Sequence, residues 1–169
     1  PMGWPLPSFS GRFPSVIMTA NRGPVRNRGF ELSLSQRFSR EVTASGNYSW
    51  QDDPEPLMPD VGREYPAGEL NVAPHHRFNL DLSLDRGRFL GGLALGYTSG
   101  AFWADVLGTA FWGPTPAHTL LGASAGVRLM RTHLTLLLKG TNLLDQDVQQ
   151  HIFGDITKRS VMLQARVQL

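Results

Sequence analysis

Alternation of apolar and polar residues with a period of two is the feature that most constrains this chain. Between residues 77 and 85 every second residue is Phe or Leu, and the other residues are Arg, Asn, Asp or Ser. Successive side chains of a β-strand point to opposite faces, so the pattern predicts a strand with one apolar and one polar face. A helix would bring Arg77, Asp81 and Asp85 among the leucines, and each of its many glycines would cost about 1 kcal/mol relative to alanine.

The same alternation recurs along the chain and predicts eight strands. Their bounds are 15–21, 29–38, 42–51, 76–85, 89–98, 118–130, 133–141 and 158–169. The connections alternate between tight turns (39–41, 86–88 and 131–132) and long segments (52–74, 99–117 and 142–157). Short turns at one end and long loops at the other are typical of an outer-membrane barrel, with the short turns periplasmic. The predicted fold is therefore all-β, an antiparallel up-and-down transmembrane β-barrel of about eight strands.

The domain organisation follows from these strands. Residues 1–14 form an N-terminal segment without a defined pattern, and residues 15–169 form the barrel strands. No apolar run approaches the roughly 20 residues of a membrane-spanning helix, whereas a transmembrane strand needs only about 9–11. The sequence has no cysteine, which excludes disulfides, thiolate metal sites and a cysteine nucleophile.

Aromatic residues fit the same layout. Tyr48, Trp50 and Tyr97 all lie at the long-loop ends of their strands. Tyr and Trp are enriched where a membrane meets water, because the ring is apolar and its tip is polar. The three residues are therefore predicted to belong to an aromatic girdle. A soluble β-sandwich with aromatics in its core would not account for the alternating loop lengths, and its strands are usually shorter.

The polar faces of the predicted strands carry charges that would point into the barrel lumen. These predicted lumen-facing residues are Glu31, Arg37, Arg77, Asp81, Asp85, Arg128, Lys139 and Arg166. In a large barrel such residues line water or contact a plug. In a closed eight-stranded barrel they would have to form pairs, since an unpaired buried charge is costly.

Catalytic and cofactor motifs are absent from the sequence. There is no Walker loop, Gly-x-Ser-x-Gly elbow or HExxH, so neither an enzyme nor a cofactor is predicted. His75 and His76 are adjacent on a strand and would point apart, which makes a shared metal ion unfavourable. The acidic residues of the first long loop, Asp52, Asp53, Glu55 and Asp60, are interpreted as solvated. The net charge of +2, without a basic cluster, gives no reason to expect nucleic-acid binding.

Several motifs occur in an order that resembles one family. They are the strand start Arg28–Leu32, the strand end Asn47–Asp52, the strand entry Asn71–Leu80, the turn Gly140–Asp145 and the final strand from Arg159 to Leu169. This succession resembles the last strands of a TonB-dependent outer-membrane receptor, from about Val16 onward. Leu169 departs from that pattern, because the family usually ends in an aromatic residue.

The resemblance implies that the chain is about the last third of a larger barrel in the bacterial outer membrane. It implies a receptor or transporter for a nutrient such as a metal chelate, cobalamin or glycan. The implied partners are outer-membrane lipid, the remaining barrel strands and a plug domain, with TonB engaged only through an N-terminal part that these residues do not include. The alternatives are a self-contained eight-stranded barrel with a structural or adhesive role, and a soluble β-protein that binds a small ligand.

Overall fold

The computed structural model describes residues 24–57, 73–103, 112–129 and 133–168, and within them every regular element is a β-strand. The strands are β1 (Val25–Arg26), β2 (Gly29–Arg37), β3 (Val42–Gln51), β4 (Glu55–Pro56), β5 (His76–Arg86), β6 (Phe89–Thr98), β7 (Ala101–Trp103), β8 (Gly113–Thr115), β9 (His118–Leu129), β10 (Leu134–Thr141) and β11 (Ser160–Val167). None of the described residues belongs to an apolar helix of membrane-spanning length.

Seven of these strands form one antiparallel sheet. Its order is β11-β10-β9-β6-β5-β3-β2, so each long strand lies beside the next long strand of the chain. This is the up-and-down arrangement predicted from the alternation, and β3 and β6 have the predicted bounds. The predicted strand at 15–21 lies outside the described residues. Strands β2 and β11 are the two edges of the described sheet, which is open between them.

The register places most of the apolar residues of the seven strands on one face. The larger exceptions, on the opposite face, are Leu90, Leu120, Leu137 and Met162. Leu82 of β5 lies between Ala44 of β3 and Leu93 of β6, and Leu93 pairs in turn with Ala123 of β9. Partners in an antiparallel pair point to the same side, so these four residues form one apolar row across the sheet. A shift of one residue in any pair would move apolar side chains among the charges, and the patterning therefore specifies the register.

The described part of the sheet is a single layer without a core on either face. Val148, in a loop, is its one buried apolar residue. Leu34 and Leu163, on the apolar face, are each 71% exposed. A water-soluble sandwich would cover such a face with a second sheet about 10 Å away, and the described residues provide none. The apolar face therefore requires a lipid or protein covering.

The two ends of the sheet differ as predicted. The turn after β2 is closed by Ser39, whose Oγ accepts hydrogen bonds from the backbone N–H groups of Glu41 and Val42, both at 3.1 Å. The turn after β5 contains Gly87 at φ 57°, a left-handed conformation that favours glycine. At the opposite end, β4 in the first long connection pairs with β1, and the second long connection contains the β7–β8 ladder.

Candidate functional site

The charged residues predicted from the alternation share one face, opposite the leucines of β5 and called here the polar face. The register links Glu31 through Ser49 to Arg77. It also pairs Lys139 with Ser124 of β9, and Thr135 with both Arg128 and Arg166. The full set on this face is Glu31, Arg37, Arg77, Asp81, Asp85, Arg128, Lys139 and Arg166.

Two of these charges form an ion pair near the short turns. Arg128 donates to both oxygens of Asp85, from Nη1 to Oδ1 at 2.6 Å and from Nη2 to Oδ2 at 2.7 Å. Its Nη1 also donates to the carbonyl oxygen of Gly87 at 2.9 Å. The guanidinium fork matches a carboxylate in this two-point geometry, which gives the contact a defined direction. The pair therefore joins β9 to the turn between β5 and β6.

Arg37 contacts only backbone, through hydrogen bonds to the carbonyl oxygens of Ser39 at 3.0 Å and Arg40 at 2.9 Å. Five further charges on the polar face form no ion pair within the described ranges. They are Glu31, Arg77, Asp81, Lys139 and Arg166. The centre and the long-loop end of the polar face therefore carry charges available to a ligand, a partner or water.

A groove of about 680 Å³ runs across the middle of the polar face. Its floor consists mostly of small residues on β6 and β9, including Gly92, Gly96 and Gly122, with Leu120 beside them, and its rims include Asp81 and Lys139. A Cβ added at Gly92 would lie 2.8 Å from the Ser124 hydroxyl oxygen, so larger residues there would disturb the groove. The side chains of Asn47 and Asn79 are joined across β3 and β5 by a 2.9 Å hydrogen bond. The groove thus combines a smooth floor with polar groups at its edges.

A second cavity, of about 400 Å³, lies where the polar face meets the long loops; it is called here the loop-end cavity. Its lining includes Arg77 of β5, Phe102 and Trp103 of β7, His118 of β9 and Gln150. The Trp103 ring contacts the ring of His151 with 4.0 Å between centroids. The loops after β6 and β10 therefore pack against each other beside the cavity.

The three predicted girdle residues lie on the apolar face at its long-loop end, within a larger aromatic group. Phe30 contacts Tyr48 and Trp50, with ring centroids 5.7 and 5.9 Å apart. The Tyr48 hydroxyl and Nδ1 of His76 share a 2.8 Å hydrogen bond. Tyr97 joins the group through its partner on β5, Phe78, which also pairs with Tyr48. Sequence reasoning missed the place of Phe30 in this group, although Phe30 occupies an alternating apolar position at the same end of its strand.

The histidine pair and the acidic loop have protein partners in the structure. His75 Nε2 lies 2.8 Å from Oδ1 of Asp53, while His76 bonds to Tyr48. Glu55 lies 3.7 Å from Arg26 across the β1–β4 ladder. Asp60 lies outside the described residues. No metal-binding group of three or more His, Asp or Glu side chains occurs in the part of the chain that the structure describes.

The connection after β10 is organised by Asn142, which is 2% exposed. Its Nδ2 donates to the carbonyl oxygens of Gln146 at 2.7 Å and Thr157 at 3.1 Å, and its Oδ1 accepts from the Gln146 N–H at 3.2 Å. Gln146 in turn accepts a hydrogen bond at 3.0 Å from the backbone N–H of Thr119 in β9. Sequence reasoning identified the Asn-Leu-Leu-Asp turn but not this role of Asn142. The signal that could have indicated the role is an Asn directly after a strand, because Asn tolerates positive φ.

Comparison with known proteins gives a family match and similar solved structures. The family described as TonB dependent receptor-like, beta-barrel matches residues 6–143. The crystal structure of the siderophore receptor PiuA from Acinetobacter baumannii is similar with a TM-score of 0.60 and 19% sequence identity. The match covers 83% of this chain and 21% of the PiuA chain. The comparison with curated proteins gave no match.

These comparisons confirm the resemblance and the fold class drawn from the sequence. The structural neighbour is evidence of fold alone at this identity. A receptor family agrees with the prediction that the chain is not an enzyme. The predicted boundary at residue 15 and the roles of the predicted residues stay predictions.

Proposed function

Because the chain belongs to the TonB-dependent receptor-like β-barrel family, we propose that it forms part of the wall of an outer-membrane transporter for a metal chelate. The family consists of outer-membrane proteins of Gram-negative bacteria, so the chain is assigned to that membrane. The observation that carries the proposal is the single-layer sheet with one mainly apolar face and an opposite face that carries the predicted charges. Lipid would cover the first face, and the second would line the lumen, as in large barrels.

The chain accounts for one sector of such a barrel. It spans about a fifth of the length of its structural neighbour. Lipid offers no hydrogen-bond partners to backbone groups, so a sheet in a membrane cannot leave its edges open. Strands β2 and β11 would therefore pair with further strands of the complete receptor.

The lumen of the complete receptor would hold a plug domain against the polar face. The groove over Gly92, Gly96 and Gly122 gives a smooth surface between Asp81 and Lys139, which form no ion pair within the described sheet. Side chains of a plug could reach these charges across the small residues of the groove. TonB would contact the plug-bearing part of the receptor, away from these strands.

A metal chelate is preferred to cobalamin or a glycan as the transported ligand because the structural neighbour is described as a siderophore receptor. The test is uptake by a strain in which the complete receptor gene is deleted and then restored. TonB-dependent uptake of a radiolabelled iron(III) chelate that is lost and regained with the gene supports the proposal. Loss of cobalamin or oligosaccharide uptake, with iron uptake intact, would contradict the choice of ligand.

The self-contained eight-stranded barrel is tested separately, by refolding the isolated chain into detergent micelles. A barrel that closes on itself gives a β-rich monomer whose gel mobility changes on heating. A sector with open edges gives aggregates, or β-structure without that change. The first result would contradict the proposed transporter wall.

A further inference from the structure

The loop-end cavity has a chemical character that narrows the ligand beyond a metal chelate in general. We infer that it selects an anionic chelate with an aromatic or similarly flat apolar surface; this inference rests on the proposed transport function. Four observations support it: the charges of the lining, the lack of a described partner for Arg77, the aromatic residues Phe102 and Trp103, and the size of the cavity.

The described lining is basic and contains no carboxylate. Arg77 and His118 are its titratable residues, and the others are neutral polar, aromatic or small. The nearest predicted acid on the polar face, Glu31, is two strands away in the register Glu31–Ser49–Arg77, which corresponds to roughly 10 Å. Such a lining attracts negative charge and offers no group that would repel it.

Arg77 is available to bind an anionic group of a ligand. Its guanidinium forms no hydrogen bond or ion pair within the described ranges, in contrast to Arg128, which is held by Asp85. Arg77 is also the one charged residue that borders both the loop-end cavity and the neighbouring cavity of about 560 Å³ between β2, β3 and β5. A guanidinium binds carboxylate, catecholate or phosphate oxygens at two points, which adds directional selectivity to charge attraction.

Trp103 supplies the aromatic part of the site together with its neighbour Phe102. Both residues line the loop-end cavity, so a flat apolar ligand surface has aromatic groups to contact.

The size of the cavity limits the ligand. About 400 Å³ lies near the lower end of the roughly 300–1,000 Å³ of small-molecule sites. Residues from the strand entries of β5 and β9 and from the loops after β6 and β10 line it together. The cavity therefore fits a compact chelate or one arm of a larger one.

The experiment measures binding of two iron(III) chelates to the detergent-solubilised complete receptor. The probes are a triply negative hexadentate tris-catecholate and a neutral hexadentate tris-hydroxamate, both labelled with radioactive iron. The expected result is at least about tenfold tighter binding of the anionic probe, equivalent to about 1.4 kcal/mol. Arg77→Gln should weaken the anionic probe far more than the neutral one and so remove most of that preference.

Arg166→Gln is the matched control, because Arg166 lies on the same polar face near the short turns, distant from the cavity. It should change neither affinity. Equal affinities of the wild-type receptor for the two probes, or preference for the neutral one, overturn the inference while leaving the transport proposal intact. An Arg77→Gln variant that weakens both probes equally also overturns it, since that result indicates a structural role. Failure of both probes to bind contradicts the inference and the proposed metal-chelate transport together.

Discussion

Arg128 holds Asp85 by two hydrogen bonds of 2.6 and 2.7 Å, although β6 lies between the strands that carry them. Arg128 also reaches the carbonyl oxygen of Gly87 in the turn. The contact depends on the planar guanidinium, because one donor group must reach two carboxylate oxygens and a carbonyl in different directions. The pair thus fixes the position of the tight turn relative to β9.

Replacing Arg128 by Lys should lower the stability of the barrel although the charge is kept. Lysine is a single-point donor and cannot reproduce the two parallel hydrogen bonds. The expected change is small, because both side chains are partly exposed. Urea unfolding of the complete receptor in detergent, followed by tryptophan fluorescence, measures it. Arg166→Lys is the control, since Arg166 has no ion pair within the described residues, and an equal shift in both variants would contradict the special role of the pair.

The sheet could be predicted from the sequence because alternation determines both the strands and the faces. The bounds of β3 and β6 agree with the prediction, and β5 continues by one residue to Arg86 before Gly87 turns the chain. The charged set falls on one face because antiparallel pairing preserves the period of two.

The loop contacts could not be predicted in the same way. Trp103 and His151 lie in segments without a period, and their 4.0 Å contact depends on how two loops meet. The burial of Asn142 similarly depends on carbonyl groups four and fifteen residues further along the chain. Only the three-dimensional structure brings Arg77, Trp103 and Gln150 to one cavity.

Cysteine labelling should distinguish the two faces of β5. The sequence has no cysteine, so single substitutions give unambiguous sites when the complete receptor lacks other accessible thiols. Arg77→Cys on the polar face, where it lines the loop-end cavity, should react with a membrane-impermeant maleimide in detergent-free proteoliposomes, whereas Leu82→Cys should stay protected by lipid. Rapid labelling of Leu82→Cys with protection of Arg77→Cys would show that the assignment of the faces is reversed.

A charge placed on the apolar face should lower the free energy of unfolding more, the deeper it lies in the membrane. Leu82 lies in the middle of the apolar rows of β5, and Tyr97 lies at the long-loop end of β6. Leu82→Arg is expected to lower the free energy of unfolding by about 2–4 kcal/mol, and Tyr97→Arg by about 0–1 kcal/mol, because arginine is costly at the bilayer midplane and tolerated near the interface. Unfolding of the complete receptor from lipid vesicles in guanidinium measures both. Asp81→Arg on the polar face is the control for the charge itself; similar costs for Leu82→Arg and Tyr97→Arg would contradict the proposed membrane position.

Asn142 should be the residue on which the order of the last long loop depends most. It has φ 49°, and its side chain bonds to two carbonyl oxygens and one N–H from a nearly fully buried position. Asn142→Ala leaves those carbonyl groups without their donor and places alanine in a left-handed conformation. The expected loss of stability is about 1–3 kcal/mol for the unsatisfied groups, with about 1 kcal/mol more for the backbone.

Two further variants separate these causes. Asn142→Gly accepts the positive φ without strain but lacks the side chain, so it should show the hydrogen-bond loss alone. Asn142→Asp keeps the acceptor and the favourable backbone but has no donor for Gln146 and Thr157. Hydrogen exchange should then increase at the backbone N–H groups of Val148 and Thr157, which donate to each other's carbonyl oxygens at 3.4 and 2.8 Å. If Asn142→Gly matches the wild type in exchange and in stability, the side chain does not organise the loop.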